Sequence, residues 1–181
     1  MNRNQKLSGD LRRNEILTLL KGSNQPLTGS QLAKIANVSR QIIVGDITLL
    51  KAKNEPIIAT SQGYIYLQQN SQSQIHERIL ACNHAPNDTE QELQIIVDTG
   101  AYVKDVKVEH PIYGDISASI MVHNRREVQQ FLDKMQKSNA AYLSQLTNGM
   151  HLHTICAASP EILDEAEEAL RKAGFLIEEN D

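Results

Sequence analysis

Seven consecutive residues, Gln68-Gln69-Asn70-Ser71-Gln72-Ser73-Gln74, are polar, uncharged and without hydrophobic period in a chain of 181. Such a stretch offers no face to bury, so it reads as a linker. It separates residues 1–68 from 75–181, and each part must then build its own core. Charge divides at the same place. Residues 1–70 hold nine Lys+Arg against four Asp+Glu, whereas residues 71–181 hold nine against eighteen. A basic small domain beside an acidic one points the first at a polyanion and leaves a different task to the second.

Composition excludes several classes. No apolar uncharged run is long enough for a membrane helix, and the polar start, Met1 to Glu15, lacks a secretory core. Two cysteines, Cys82 and Cys156, make no disulfide framework, which fits a cytoplasmic protein. There is no Trp and only two Phe, too few for a single-strand stacking platform. The glycines are never closer than Gly22 and Gly29, which rules out the dinucleotide fingerprint and the P-loop.

The first half predicts a winged helix-turn-helix. Ile16, Leu17 and Leu20 line a helix over Leu11–Lys21 that Gly22 ends. Thr28 and Gln31 form a capping box for a short helix with Leu32, Ile35 and Ala36 inside. Asn37-Val38 turns, and Ser39 caps a helix over Arg40–Lys53 with Ile43, Ile47 and Leu50 buried. Ile57-Ile58 and Tyr64–Leu67 pair as a hairpin about Ser61-Gln62-Gly63. In this order the third helix enters the major groove. Ser39, Arg40, Gln41, Val44, Thr48 and Lys51 are its DNA-binding candidates: Arg40 can fork onto guanine, Gln41 onto adenine, and Val44 can meet a thymine methyl. Arg12, Arg13, Lys34, Lys51 and Lys53 are expected near phosphates. A protein-interaction module of the same shape is the alternative. Gly45, mid-helix, costs about 1 kcal/mol relative to Ala and points only to a close backbone approach.

The second half predicts a βαββαβα order, helices on one antiparallel sheet, and hence an α+β protein overall. The elements are a strand Arg78–Cys82, a helix after Pro86 with Leu93, Ile96 and Val97 inside, strands Val103–Glu109 and Ile116–Val122, a helix capped by Asn124 and Glu127, a strand His151–Cys156, and a helix opened by Ser159-Pro160. His151 and His153, two apart on a strand, point to one face and make a good chelate. His84 could meet them across the sheet and Glu92 could add a carboxylate, a set suited to zinc, nickel, iron or manganese. Glu92 could equally close a capping box with Thr89, and a His-X-His pair can be ordinary polar packing. Cys82 shares the parity of His84 and is a weaker candidate. His110 and His123 read as local structural residues, and His76 as the linker's edge.

Two resemblances sharpen this. Thr28–Ala33, Val38-Ser39-Arg40-Gln41, Asp46–Lys51, Ile57-Ile58-Ala59 and Gly63-Tyr64 resemble the helix-turn-helix of biotin-operon-type bacterial repressors. His84-Ala-Pro, Glu92-Leu, Asp98-Thr-Gly, Asp105-Val, His110-Pro-Ile-Tyr-Gly114, Leu143–Gly149 and His151-Leu-His-Thr154 together resemble the three-histidine (3H) domain of niacin-responsive transcriptional repressors. That resemblance implies an HPr-like fold for the second half and a homodimer binding double-stranded operator DNA. It also implies nicotinic acid as corepressor for genes of NAD biosynthesis and niacin uptake, and one divalent metal ion at His84, Glu92, His151 and His153. Asn124 stands where relatives tend to have Ser, and either residue caps a helix. For the carboxylate of nicotinic acid, Arg125, Arg126 and Thr147 are the candidates by position. A non-enzymatic repressor is therefore the expectation. A metal-dependent hydrolase, a histidine phosphocarrier, or an adaptor are the competing classes.

Overall fold

The computed structural model describes residues 8–67 and 75–178. The predicted Gln68–Gln74 linker lies outside the described residues. The chain divides into two compact units, Met1–Ser71 and Gln72–Asp181.

In the first unit the apolar stripes close on one another. Helices α1 (Gly9–Lys21), α2 (Gly29–Ile35) and α3 (Arg40–Ala52) are followed by the hairpin β1 (Ile57–Thr60) and β2 (Gly63–Tyr66). The Thr28–Gln31 capping box forms as expected, and Ser39 Oγ accepts from the Ile42 N–H at 3.3 Å. Asn37 takes a left-handed φ of 52° between α2 and α3, the turn that lets the two helices cross. Ile16, Leu20, Leu32, Ile43, Ile47 and Leu50 form the core. Leu27 exchanges both backbone hydrogen bonds with Tyr64, so the hairpin is stitched back to the entry of α2. Gly63 is required there: its φ is +141°, and a Cβ would stand 2.7 Å from the Leu27 carbonyl.

One expectation is corrected. Arg12 and Arg13 are not held out for phosphates. Arg12 is buried and forks onto Asp46 of α3, Nε to Oδ2 at 2.6 Å and Nη2 to Oδ1 at 3.1 Å, and Arg13 adds Nη1 to Oδ1 at 3.2 Å. Asp46 is buried with the apolar stripe of α3, so its charge has to be met from α1.

The second unit runs β3 (His76–Asn83), α4 (Thr89–Asp98), β4 (Tyr102–His110), β5 (Gly114–Val122), α5 (Arg125–Ser138), β6 (Met150–Ala157) and α6 (Pro160–Lys172). This is the expected βαββαβα order. Its sheet is antiparallel in the order β3-β6-β4-β5. Strand β3 begins two residues earlier than predicted, so His76 pairs with Ala157 rather than standing at a linker's edge. Two 3-10 turns were not foreseen, Pro86–Asp88 and Leu143–Thr147. Beyond α6, Phe175–Ile177 runs along the free edge of β3, with the Asn83 N–H donating to Phe175 O and the Ile177 N–H to Ala81 O. Leu80, Leu93, Ile96, Val103, Val122, Ile155, Ala166 and Leu170 lie in the core under the helices. The Asn124–Glu127 cap of α5 forms, with the Glu127 N–H donating to Asn124 Oδ1 at 3.0 Å. Ser159, by contrast, makes no side-chain cap bond at α6.

Asp46→Ala should therefore destabilise the first unit by about 3–5 kcal/mol, the cost of removing one partner of a buried ion pair. Denaturant titration read by circular dichroism checks this; a change under 1 kcal/mol would mean the pair is dispensable.

Candidate functional site

Cross-strand pairing assembles the site. His151 and His153 alternate along β6 onto the helix-covered face, where they stand opposite Cys82 and Leu80 of β3. His84 follows the end of β3, and Glu92 comes down from the first turn of α4. All four side chains are at most 3% exposed. The Glu92 carboxylate is the centre: Oε2 lies 2.7 Å from His84 Nε2 and 3.2 Å from His153 Nε2, and Oε1 lies 3.1 Å from His151 Nε2. His84 and His151 meet edge to face with ring centroids 4.9 Å apart, as do His151 and His153 at 4.8 Å.

The second nitrogen of each ring fixes its tautomer. His84 Nδ1 faces Ala85 O at 2.8 Å, His151 Nδ1 faces Gly149 O at 2.7 Å, and His153 Nδ1 faces Asp105 O at 2.8 Å. A carbonyl can only accept, so each Nδ1 carries a hydrogen and each neutral ring turns an Nε2 lone pair towards Glu92. Three acceptors then face a fourth. His84 Nε2, although 2.7 Å from Glu92 Oε2, is not aligned for a hydrogen bond with it. A proton on one ring or a metal ion among these atoms can supply the positive charge. One protonated ring balances the carboxylate, protons on all three would bury a net +2, and one divalent ion with three neutral imidazoles leaves +1. Rings held by backbone carbonyls through Nδ1, with Nε2 turned inwards, are the outer-shell arrangement of metal-binding histidines. The residues present thus fit the metal the resemblance implies.

Gly149 serves this orientation. Its φ is +100°, and a Cβ would stand 2.6 Å from His84 O. A side chain there would push apart the two segments that carry His84 and His151, while the Gly149 carbonyl holds the His151 ring.

The alternative reading of Glu92 as a cap does not hold. Asp88 is the N-cap of α4, and Thr89 Oγ1 is buried without a hydrogen-bond partner among the described residues. Cys82 is closer to the site than its parity alone suggested: it is fully buried, and its Sγ and ligand atoms of Glu92 and His151 all lie within 4.8 Å of one another. Burial, followed by the Glu92 charge, pushes its thiol pKa far up. Burial also opposes charge on His84 and His153, but the Glu92 carboxylate outweighs it and raises both pKa values. Glu92 itself is held well below the ordinary carboxylate range; burial works against this, and the imidazoles prevail.

The carboxylate candidates do not converge. Arg125 Nε and Nη2 are held by Asp98, the first at 2.7 Å, and Arg126 is exposed one residue on. Thr147 lines a cavity of about 330 Å³ with His151, and its hydroxyl already donates to Ser144 O and Met150 O. The cavity is also lined by Lys107, Glu109 and Asp115; Lys107 Nζ donates to Thr154 Oγ1 at 3.1 Å and lies 3.7 Å from Asp105 Oδ1. Lys107 was missed because only the β4–β6 register, Lys107 opposite Leu152, brings it there.

In the first unit, α3 leaves Arg40, Gln41, Thr48 and Lys51 exposed and Val44 half-buried. Thr48 Oγ1 donates to Val44 O at 2.8 Å, and Ser39 is occupied as the cap. The described helices include none long and apolar enough to cross a membrane.

Residues 77–179 match the 3H domain family, and residues 12–65 match an HTH domain. The chain belongs to the 3H-domain family, with a helix-turn-helix domain ahead of the 3H domain. It is 58% identical over 175 residues to "Transcription repressor NadR" of Bacillus subtilis, covering 96% of this chain and 97% of that protein. It is 40% identical over 164 residues to "Probable transcription repressor NiaR" of Thermotoga maritima, covering 91% and 92%.

Metal and protons compete for the same three nitrogens. Because Glu92 raises the pKa of His84 and His153 in the metal-free protein, affinity should begin to fall above the ordinary imidazole pKa and keep falling as pH drops. Chelator-competition titrations across pH 5–8 check this. An affinity that does not change with pH would remove the imidazoles from the site.

Proposed function

We propose that this chain is a DNA-binding transcription repressor. It reads operator DNA with α3 and answers nicotinic acid at a metal-bearing 3H domain, controlling genes of NAD biosynthesis and niacin uptake. The observation that carries the effector half is the set of three imidazoles, each fixed through Nδ1 and aimed through Nε2 at one buried carboxylate. His84, Glu92, His151 and His153 would hold the ion; nitrogen and carboxylate donors suit zinc, nickel, iron or manganese. Once bound, the ion supplies an electron-pair acceptor for the pyridine nitrogen of a small ligand. The names of the two relatives support the repressor reading, as does the exposed N-terminal face of α3 behind its Ser39 cap.

A phosphocarrier role is disfavoured by the rings themselves. Nδ1 of His151 and His153 is bonded to backbone, and Nε2 faces a carboxylate that would repel phosphate. On α3, Arg40 and Gln41 would read base edges and Lys51 would meet phosphate. As a homodimer the protein would take an inverted repeat whose half-sites lie an integral number of helical turns apart.

Arg40→Ala should weaken specific binding by about 1–3 kcal/mol and relax one base position per half-site. Lys51→Ala should weaken all sequences alike and flatten the salt dependence. The effector half is tested by DNA mobility-shift titration with nicotinic acid, with nicotinamide, and with nicotinic acid after chelation of the metal. Tighter DNA binding is expected only with nicotinic acid and bound metal. Nicotinamide lacks the charge, and would leave a site built for a carboxylate with an unmatched donor. Equal DNA affinity under all three conditions would refute the effector reading while leaving DNA binding intact.

A further inference from the structure

Gly45 stands near the middle of α3, a helix capped by Ser39 and packed through Ile43, Ile47 and Leu50. After proline, glycine is the least favourable residue in a helix interior. Nothing among the described residues requires it. Its φ is not in the left-handed region, and a Cβ built there meets nothing within 4 Å. The space that a side chain would fill is outside the protein.

Its direction is fixed. Ile43, Asp46, Ile47 and Leu50 are the buried residues of α3, and Asp46 is tied to Arg12 and Arg13 of α1. This sets the rotation of α3 about its own axis. The residues farthest from that buried stripe recur at spacings of four, three and four: Gln41, Gly45, Thr48 and Ala52, all exposed. The glycine therefore lies on the outermost line of the helix, one turn after Gln41 and beside the half-buried Val44. A helix with a side chain at this position would be held off any surface it lies against by the length of that side chain.

We propose that Gly45 is the point at which the backbone of α3 comes closest to the floor of the major groove, and that its missing side chain sets how deeply Arg40 and Gln41 reach. This rests on the reading of α3 as the DNA-reading helix. It assigns Gly45 as a positioning residue for sequence-specific recognition: the base edges beneath it are met by Cα and main chain. Backbone approach of this kind admits no Cβ without lifting the helix, so the contacts of its neighbours weaken together. Phosphate contacts tolerate such a lift better, since long Lys and Arg side chains can follow the backbone.

The test uses the full chain, saturated with nicotinic acid, and a duplex that the wild-type chain selects from a random-sequence pool, with an unselected duplex of equal length beside it. Gly45→Ala should melt at a higher temperature than wild type, so loss of fold cannot explain the result. It should bind the selected duplex at least tenfold more weakly and the unselected duplex within twofold of wild type. Gly45→Leu, also a good helix former, should bind the selected duplex more weakly still. If Gly45→Ala binds the selected duplex within twofold of wild type while Arg40→Ala loses affinity, this inference fails and α3 remains the reader. If neither substitution changes selected-duplex affinity, α3 is not the reader and both readings fall.

Discussion

A carboxylate with almost no exposed surface stands at the centre of the second unit. Glu92 is 1% exposed and faces three imidazole nitrogens. An isolated buried carboxylate is among the costliest groups a core can hold. The surrounding architecture is arranged around its compensation: β6 presents two histidines on one face, the end of β3 presents a third, and the 3-10 turn ending in the Asn148-Gly149 pair brings the carbonyl that orients one of them. Under the proposed function, a cation held among these groups would complete that compensation.

The first unit meets the same constraint differently. Asp46 is also buried, but its compensating charge is part of the chain, in the guanidiniums of Arg12 and Arg13. Asp46 so held stabilises the orientation of α3 within its unit, and Glu92 is met by imidazoles whose own charge depends on pH. A ligand can shift DNA affinity only through a difference in its affinity for two arrangements of the protein. By linkage, DNA must then shift ligand affinity by the same factor.

Much of this was legible in the residues. The 3.6-residue and two-residue periods located the six α-helices and six strands of the described residues, because each buries one face against the core of its own unit. The caps at Thr28 and Asn124 were legible because both members of each box lie three residues apart. The pairing of His151 with His153 followed from strand alternation; spacing offered their union with His84 and Glu92 as one reading among several, and the family resemblance favoured it. Glu92 satisfies two local rules at once, cap and ligand, and only burial separates them. Arg12 and Arg13 read as phosphate contacts because nothing local announces a buried partner 34 and 33 residues away. Lys107 and the edge segment Phe175–Ile177 were missed for the same reason: strand register, which depends on tertiary packing, decides both.

The role of Glu92 and its three histidines is tested most directly by X-ray absorption at the metal edge, on protein purified from its native host without added metal. The expected result is about one divalent ion per chain, with scattering from three imidazoles and at least one carboxylate oxygen, and with the imidazole contribution reduced to two in His153→Ala. Protein that folds and binds its effector without metal, or a bound ion whose spectrum lacks imidazole scattering, would contradict it.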